Sequence, residues 1–129
     1  MEKIQQNFVI VCESAVIDQQ TKNLSLFNIF SNINSLGVPA FHPSFVVVTN
    51  FSGGRGEHDH SIAILHEDGT EIAKMKGKIN FGEGKNAQHI GRFIGVPFPK
   101  FGKYHIKIFI DSQEQSLTGK LTVTLINHV

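Results

Sequence analysis

The feature that most constrains the fold is a two-residue rhythm. In Glu71–Phe81 the side chains of Ala73, Met75, Gly77, Ile79 and Phe81 share one parity, and Lys74, Lys76 and Lys78 share the other. Successive side chains of a strand point to opposite faces, so this pattern predicts a β-strand with one face in a core and one in water. The rhythm returns in Lys103–Ile110, where Tyr104, Ile106, Ile108 and Ile110 oppose Lys103, His105, Lys107 and Phe109. It returns again in Lys120–Ile126, where Leu121, Val123 and Leu125 oppose Lys120, Thr122 and Thr124. Phe8–Cys12 and Phe45–Val48 are apolar on both parities, which predicts strands that are central in a sheet or covered on both faces. No segment sustains a helical period, so no substantial helix is expected.

Composition points the same way. Ile and Val outnumber Ala and Leu, and there are 11 Phe among 129 residues. β-Branched and aromatic side chains suit a pleated, half-buried surface, whereas a helix bundle of this length would lean on Ala and Leu. At 40% hydrophobic and 18% charged residues, the chain is not a disordered one. Eight strands are predicted: Phe8–Ile17, Leu24–Ile33, Ser44–Phe51, Asp59–His66, Glu71–Phe81, Gln88–Val96, Lys103–Ile110 and Lys120–Ile126. Turn chemistry separates them, with Glu67-Asp68-Gly69-Thr70 as a tight hairpin and Pro39 and Pro43 in the connection before the third strand. The expected fold is all-β, a two-sheet antiparallel β-sandwich of immunoglobulin-like or similar kind, as a single domain over residues 1–129.

A net charge of +1 supplies no global field for nucleic acid or an acidic membrane, and neither is expected as a partner. The one cysteine, Cys12, allows no internal disulfide, and the apolar run Phe8–Cys12 is too short for a leader or a membrane span. A cytoplasmic location is expected.

Seven histidines are the compositional oddity. His58, His60 and His66 share the parity of Ile62 and Ile64. A His-x-His pair on one strand face places imidazoles about 7 Å apart, close enough to share a zinc-sized ion, so His58 and His60 are the candidate metal ligands. His66 lies roughly 20 Å further along an extended strand, and His42, His89, His105 and His128 have no local spacing that recommends them as a third ligand. Most histidines outside such a site have no special role, and no cofactor is expected.

Other constellations are weaker. Gly53, Gly54 and Gly56 join two predicted strands and lack the helix and Lys-Ser/Thr of a phosphate loop. Cys12 sits in an apolar strand, and neither it nor Ser14 has a motif around it for nucleophilic catalysis. Asp59, Glu67, Asp68 and Glu71 gather near one hairpin, where turn chemistry already accounts for Asp68. The stripe Lys74, Lys76, Lys78 would form a basic patch if it met Lys103 and Lys107, but it reads first as a guard against edge-to-edge strand pairing.

The second half of the chain carries a family likeness. The run Ile94-Gly-Val-Pro-Phe-Pro99, then Phe101-Gly-Lys-Tyr104, then Ile106–Asp111, resembles an uncharacterised bacterial family of small all-β sandwich proteins. The likeness extends to an opening strand such as Phe8–Cys12 followed by an acidic residue, here Glu13, and to a Pro-flanked third strand such as Pro39–Val48. The chain departs from the pattern at Asp111-Ser112-Gln113, where a glycine often follows the aspartate, and in carrying the His58–His60 segment. The resemblance implies a sandwich architecture and no assigned activity. Together these readings lead to a non-catalytic module that binds a macromolecular partner or forms a homodimer through an exposed sheet edge. The alternatives are a small-ligand or metal-binding module using His58 and His60, and a hydrolase-type enzyme on a sandwich scaffold.

Overall fold

The computed structural model describes residues 3–126, so His128 lies outside the described residues. It is all-β, with no helix among them, and none therefore long and apolar enough to cross a membrane. Twelve strands replace the eight expected: β1 (Gln5–Ile17), β2 (Leu24–Ile29), β3 (Asn32–Ser35), β4 (Ala40–Phe41), β5 (Ser44–Ser52), β6 (Gly56–His66), β7 (Glu71–Phe81), β8 (Asn86–Ile94), β9 (Pro97–Phe98), β10 (Gly102–Ile110), β11 (Gln113–Glu114) and β12 (Gly119–Leu125). They form a four-stranded sheet in the order β2-β1-β5-β8 and a larger sheet in the order β3-β12-β10-β6-β7, with β11 added to β10. A third, two-stranded sheet pairs β4 with β9.

The doubly apolar runs take the places their pattern requires, since β1 and β5 are the central strands of the four-stranded sheet. Odd-numbered Phe45, Val47 and Phe51 of β5 join the main core with Ile62 and Ile64 of β6, Ile79 and Phe81 of β7, and Tyr104, Ile106 and Ile108 of β10. Even-numbered Val46 and Val48 face the other way and pack with Cys12, Phe8, Leu24, Leu26 and Ile90 in a second, smaller cluster.

Two expectations are corrected. The single strand expected over Leu24–Ile33 is two strands in two different sheets. Asn28 takes a left-handed φ of +55°, and the chain then crosses over, with the Phe30 amide donating to the Val11 carbonyl and the Ser31 carbonyl accepting from the Thr122 amide. The sheets are not wholly antiparallel either, because β3 runs parallel to β12 with Ile33 opposite Val123.

Local signals are otherwise met by geometry. Gly69 has a φ of +95° in the β6–β7 hairpin, where the Asp68 carboxylate accepts the Thr70 amide at 2.9 Å. Gly102 has a φ of +115°, and a Cβ there would lie 2.5 Å from Glu67 Oε2, which accepts the Lys103 amide. Asp111 and Ser112, with φ of +49° and +67°, make the two-residue turn that brings β11 back against β10. Both φ values are positive, as a type I′ hairpin requires, and Ser112 occupies the position where a glycine would be the easy choice.

Candidate functional site

β6 places His58 and His60 on the same face, as their parity requires, but gives each its own partners. His58 Nδ1 lies 2.7 Å from Asp111 Oδ2, and its Nε2 lies 2.8 Å from the Arg55 carbonyl. Both partners are acceptors, so both ring nitrogens of His58 are engaged within the fold. The pair closes the end of β6 against the β10–β11 turn, where Asp111 also accepts the Asp59 amide at 3.0 Å. Hydrogen bonding to His58 is the main reason the Asp111 carboxyl lies below the usual range.

His60 is buried between the two large sheets, at 2% exposure. Its Nε2 meets Thr49 Oγ1 of β5 at 3.0 Å, and its ring stacks on His89 of β8 with centroids 4.2 Å apart. The Nδ1 atoms of both rings are buried without a hydrogen-bond partner. Burial is the main force holding the His60 imidazole down to about 3, with His89 adding to it, and burial lowers His89 too. Both rings are therefore neutral at pH 7. The sequence reading missed this pairing, although His89 shares the parity of Ala87, Gly91 and Phe93 and so had an inward signal. No group of three or more His, Cys, Asp or Glu side chains able to hold a metal ion occurs among the described residues.

Two further His–acid pairs occur. His66 bonds the Phe101 carbonyl through Nε2 and faces Asp68 through Nδ1, closing the β6–β7 turn. Asp68 is also bound by the Lys100 ammonium, the main reason its carboxyl is depressed far below the usual range. His42 stacks on Phe30, bonds the Ser44 carbonyl through Nδ1 and sits 3.6 Å from Glu13 Oε1. It lines a shallow cleft of about 380 Å³ with Glu13, Ser14 and Asn28. Acyl transfer needs a hydroxyl bonded to such an imidazole, and no serine hydroxyl bonds a histidine ring among the described residues. Cys12 is fully buried, and desolvation raises its thiol pKa, which disfavours the thiolate that nucleophilic attack requires.

The sheet edges differ sharply. β7 and β8, at the ends of their respective sheets, lie against each other: Met75 Sδ is 2.8 Å from where a Gly91 Cβ would stand, and His89 Nε2 is 3.0 Å from where a Gly77 Cβ would stand. β3 is a short, largely polar edge of four residues. β2 is the exception. It has a neighbour, β1, on one side only, and its sequence Leu24-Ser-Leu-Phe-Asn-Ile29 carries no charge. Phe27 is 50% exposed and Ile29 64%, and Val16 and Ile17 on the paired part of β1 are exposed as well.

The chain belongs to a family of unknown function, DUF6941, whose pattern matches residues 7–124. No curated protein matches it.

Proposed function

We propose that this family member is a non-catalytic interaction module on a two-sheet, immunoglobulin-like β-sandwich, working in the bacterial cytoplasm, and that its binding element is the free side of β2. The carrying observation is the uncharged, apolar edge of β2, beside two other edge strands whose core-facing residues pack together and a fourth edge that is short and polar. An edge strand presents unpaired amides and carbonyls ready for another strand, and edges are usually blunted with lysine, proline or charge. β2 has none of these.

The occupant is a second copy of the chain. An uncharged strand laid antiparallel on its twin meets no like-charge repulsion, and Phe27, half exposed on β2, would lose water against it. Asn28, with its left-handed backbone, limits the regular ladder to Leu24–Phe27, so the pairing is short and the dimer reversible. Supporting the sandwich reading, the buried Tyr104 hydroxyl donates to the Lys100 carbonyl at 2.7 Å and accepts the Lys100 amide at 3.1 Å, the arrangement of a tyrosine corner in Greek-key sandwiches. A lone buried Cys12 suits a reducing compartment.

Sedimentation across protein concentrations, with amide exchange on β2, tests the reading. We expect a concentration-dependent dimer whose β2 amides gain protection, and a monomer when Ser25 and Phe27 are both replaced by lysine. A wild-type chain that stays monomeric at all concentrations, with β2 amides exchanging freely, would refute the homodimer; capture of a foreign strand at β2 would keep the edge and change the occupant.

A further inference from the structure

The outward face of the larger sheet carries a charge pattern that the β2 edge does not use. Register places β6 between β7 and β10, so Lys74, Ala63 and Lys107 form one row across the face and Lys76, Ser61 and Phe109 form the next. Beyond them, Lys120 pairs with His105 and Lys103 pairs with Thr122. Neighbouring strands lie about 4.8 Å apart, which sets the lysine row of β7 roughly 9.6 Å from the outward row of β10. In these two rows the outward side chains of β6, Ala63 and Ser61, are short. The result is a trough, one strand wide, with a small-residue floor, a lysine wall on β7 and a wall of Lys107 and Phe109 on β10. A depression of about 420 Å³ lies in it, lined by Asp59, Ser61, Lys74, Lys76, Phe109 and Ser112.

The charges are unevenly answered. Lys78 meets Glu57 at 3.3 Å and Asp59 at 3.6 Å, and Lys107 meets Glu114 at 3.4 Å. Among the described residues no carboxylate lies within ion-pair distance of Lys74, Lys76, Lys103 or Lys120. Lys78 and Lys107 are therefore answered while Lys74 and Lys76 are not, and Glu71 stands opposite Leu65 in the row beyond Lys74.

We infer that this trough binds an acidic polypeptide segment in extended conformation, with carboxylates on Lys74 and Lys76 and an apolar side chain against Phe109. Charge complementarity selects an anion, and the apolar wall selects one that alternates acidic with apolar groups. A nucleic acid is the poorer fit: no arginine lies in these rows, and Phe109, half-buried, is the one aromatic ring in them.

The test is an amide-shift titration of the full chain with an eight-residue peptide alternating glutamate and leucine, at 50 and 300 mM salt. Shifts should concentrate on β6, β7 and β10, and affinity should fall several-fold at the higher salt. The double variant Lys74→Gln, Lys76→Gln changes two exposed side chains and should weaken binding about tenfold with the circular dichroism unchanged. Absence of shifts at millimolar peptide overturns the inference. So does tighter binding of oligothymidylate at the same face. Shifts confined to β2 also overturn it while leaving the edge reading intact.

Discussion

Acid should loosen this protein through His60, and the size of the effect follows from where the ring sits. In the native state the imidazole is held down to about 3. In the unfolded chain it returns to about 6.5. Between those values the unfolded state binds a proton that the native state refuses, so stability is fully present above the unfolded value and falls as pH falls toward the native one. Each pH unit in that window is worth about 1.36 kcal/mol, so His60 alone removes about 2 kcal/mol between pH 7.5 and pH 5. For a chain of this length that is a fall in Tm of about 7 °C. His89, also lowered by burial, acts in the same direction, and the two protons come on as a coupled pair because the rings are stacked. Carboxylates depressed in the fold, such as Asp111 and Asp18, act in a lower window, below the ordinary carboxyl range, and do not overlap. Urea melts at pH 7.5 and 5, on the wild type and on a His60→Gln, His89→Gln variant, measure the effect as a difference of differences in which other titrating groups cancel. The wild type should lose at least about 2 kcal/mol more than the variant over the interval, His60 supplying the 2 and His89 adding to it. Equal losses in both proteins would show that the pair is already solvated or protonated in the native state, and the argument from burial would fail.

Three further perturbations have clear signs. Tyr104→Phe removes the buried hydroxyl that bonds both the carbonyl and the amide of Lys100, and should cost about 1–3 kcal/mol in denaturant midpoint without changing the sheet spectrum. Ser112→Gly should stabilise by about 0.5–1 kcal/mol, because the left-handed strain relieved at +67° exceeds the extra freedom given to the unfolded chain; a lower Tm would argue against the turn geometry. Gly54→Ala places a methyl 2.6 Å from the buried Phe81 ring and should destabilise by about 1–3 kcal/mol, read in the same melts.

Much of the architecture was legible because β7, β10 and β12 each divide core from water, and alternation records that division residue by residue. The broken strand at Leu24–Ile33 was not legible. Its hydrophobic run continues through Ile29 and Phe30, and the change of sheet rests on one asparagine with a left-handed backbone, a residue that enters that region without needing the glycine or proline that marks most turns. The pairing of Ala40 with Phe98 was equally hidden, since neither two-residue strand carries a pattern of its own. At the histidines, parity correctly put His58 and His60 on one face. Their chemistry was decided by residues that sequence distance concealed: Asp111 from the end of β10, Thr49 from β5 and His89 from β8.

The same difference between local and non-local information governs the surfaces. A lysine stripe alone is compatible with an edge guard or with a binding face, because both put ammonium groups on the water side of a strand. The stripe of β7 is separated from Lys107 and Phe109 of β10 by Ala63 and Ser61, both small, so Lys74 and Lys76 also flank a trough. β2 presents the converse case. Leu24 and Leu26 pack with Cys12, yet Phe27 and Ile29 are left in water on a strand with one free side. Leaving such side chains exposed on an unguarded edge invites aggregation unless something covers them, and that is the physical reason to look for the second copy there first.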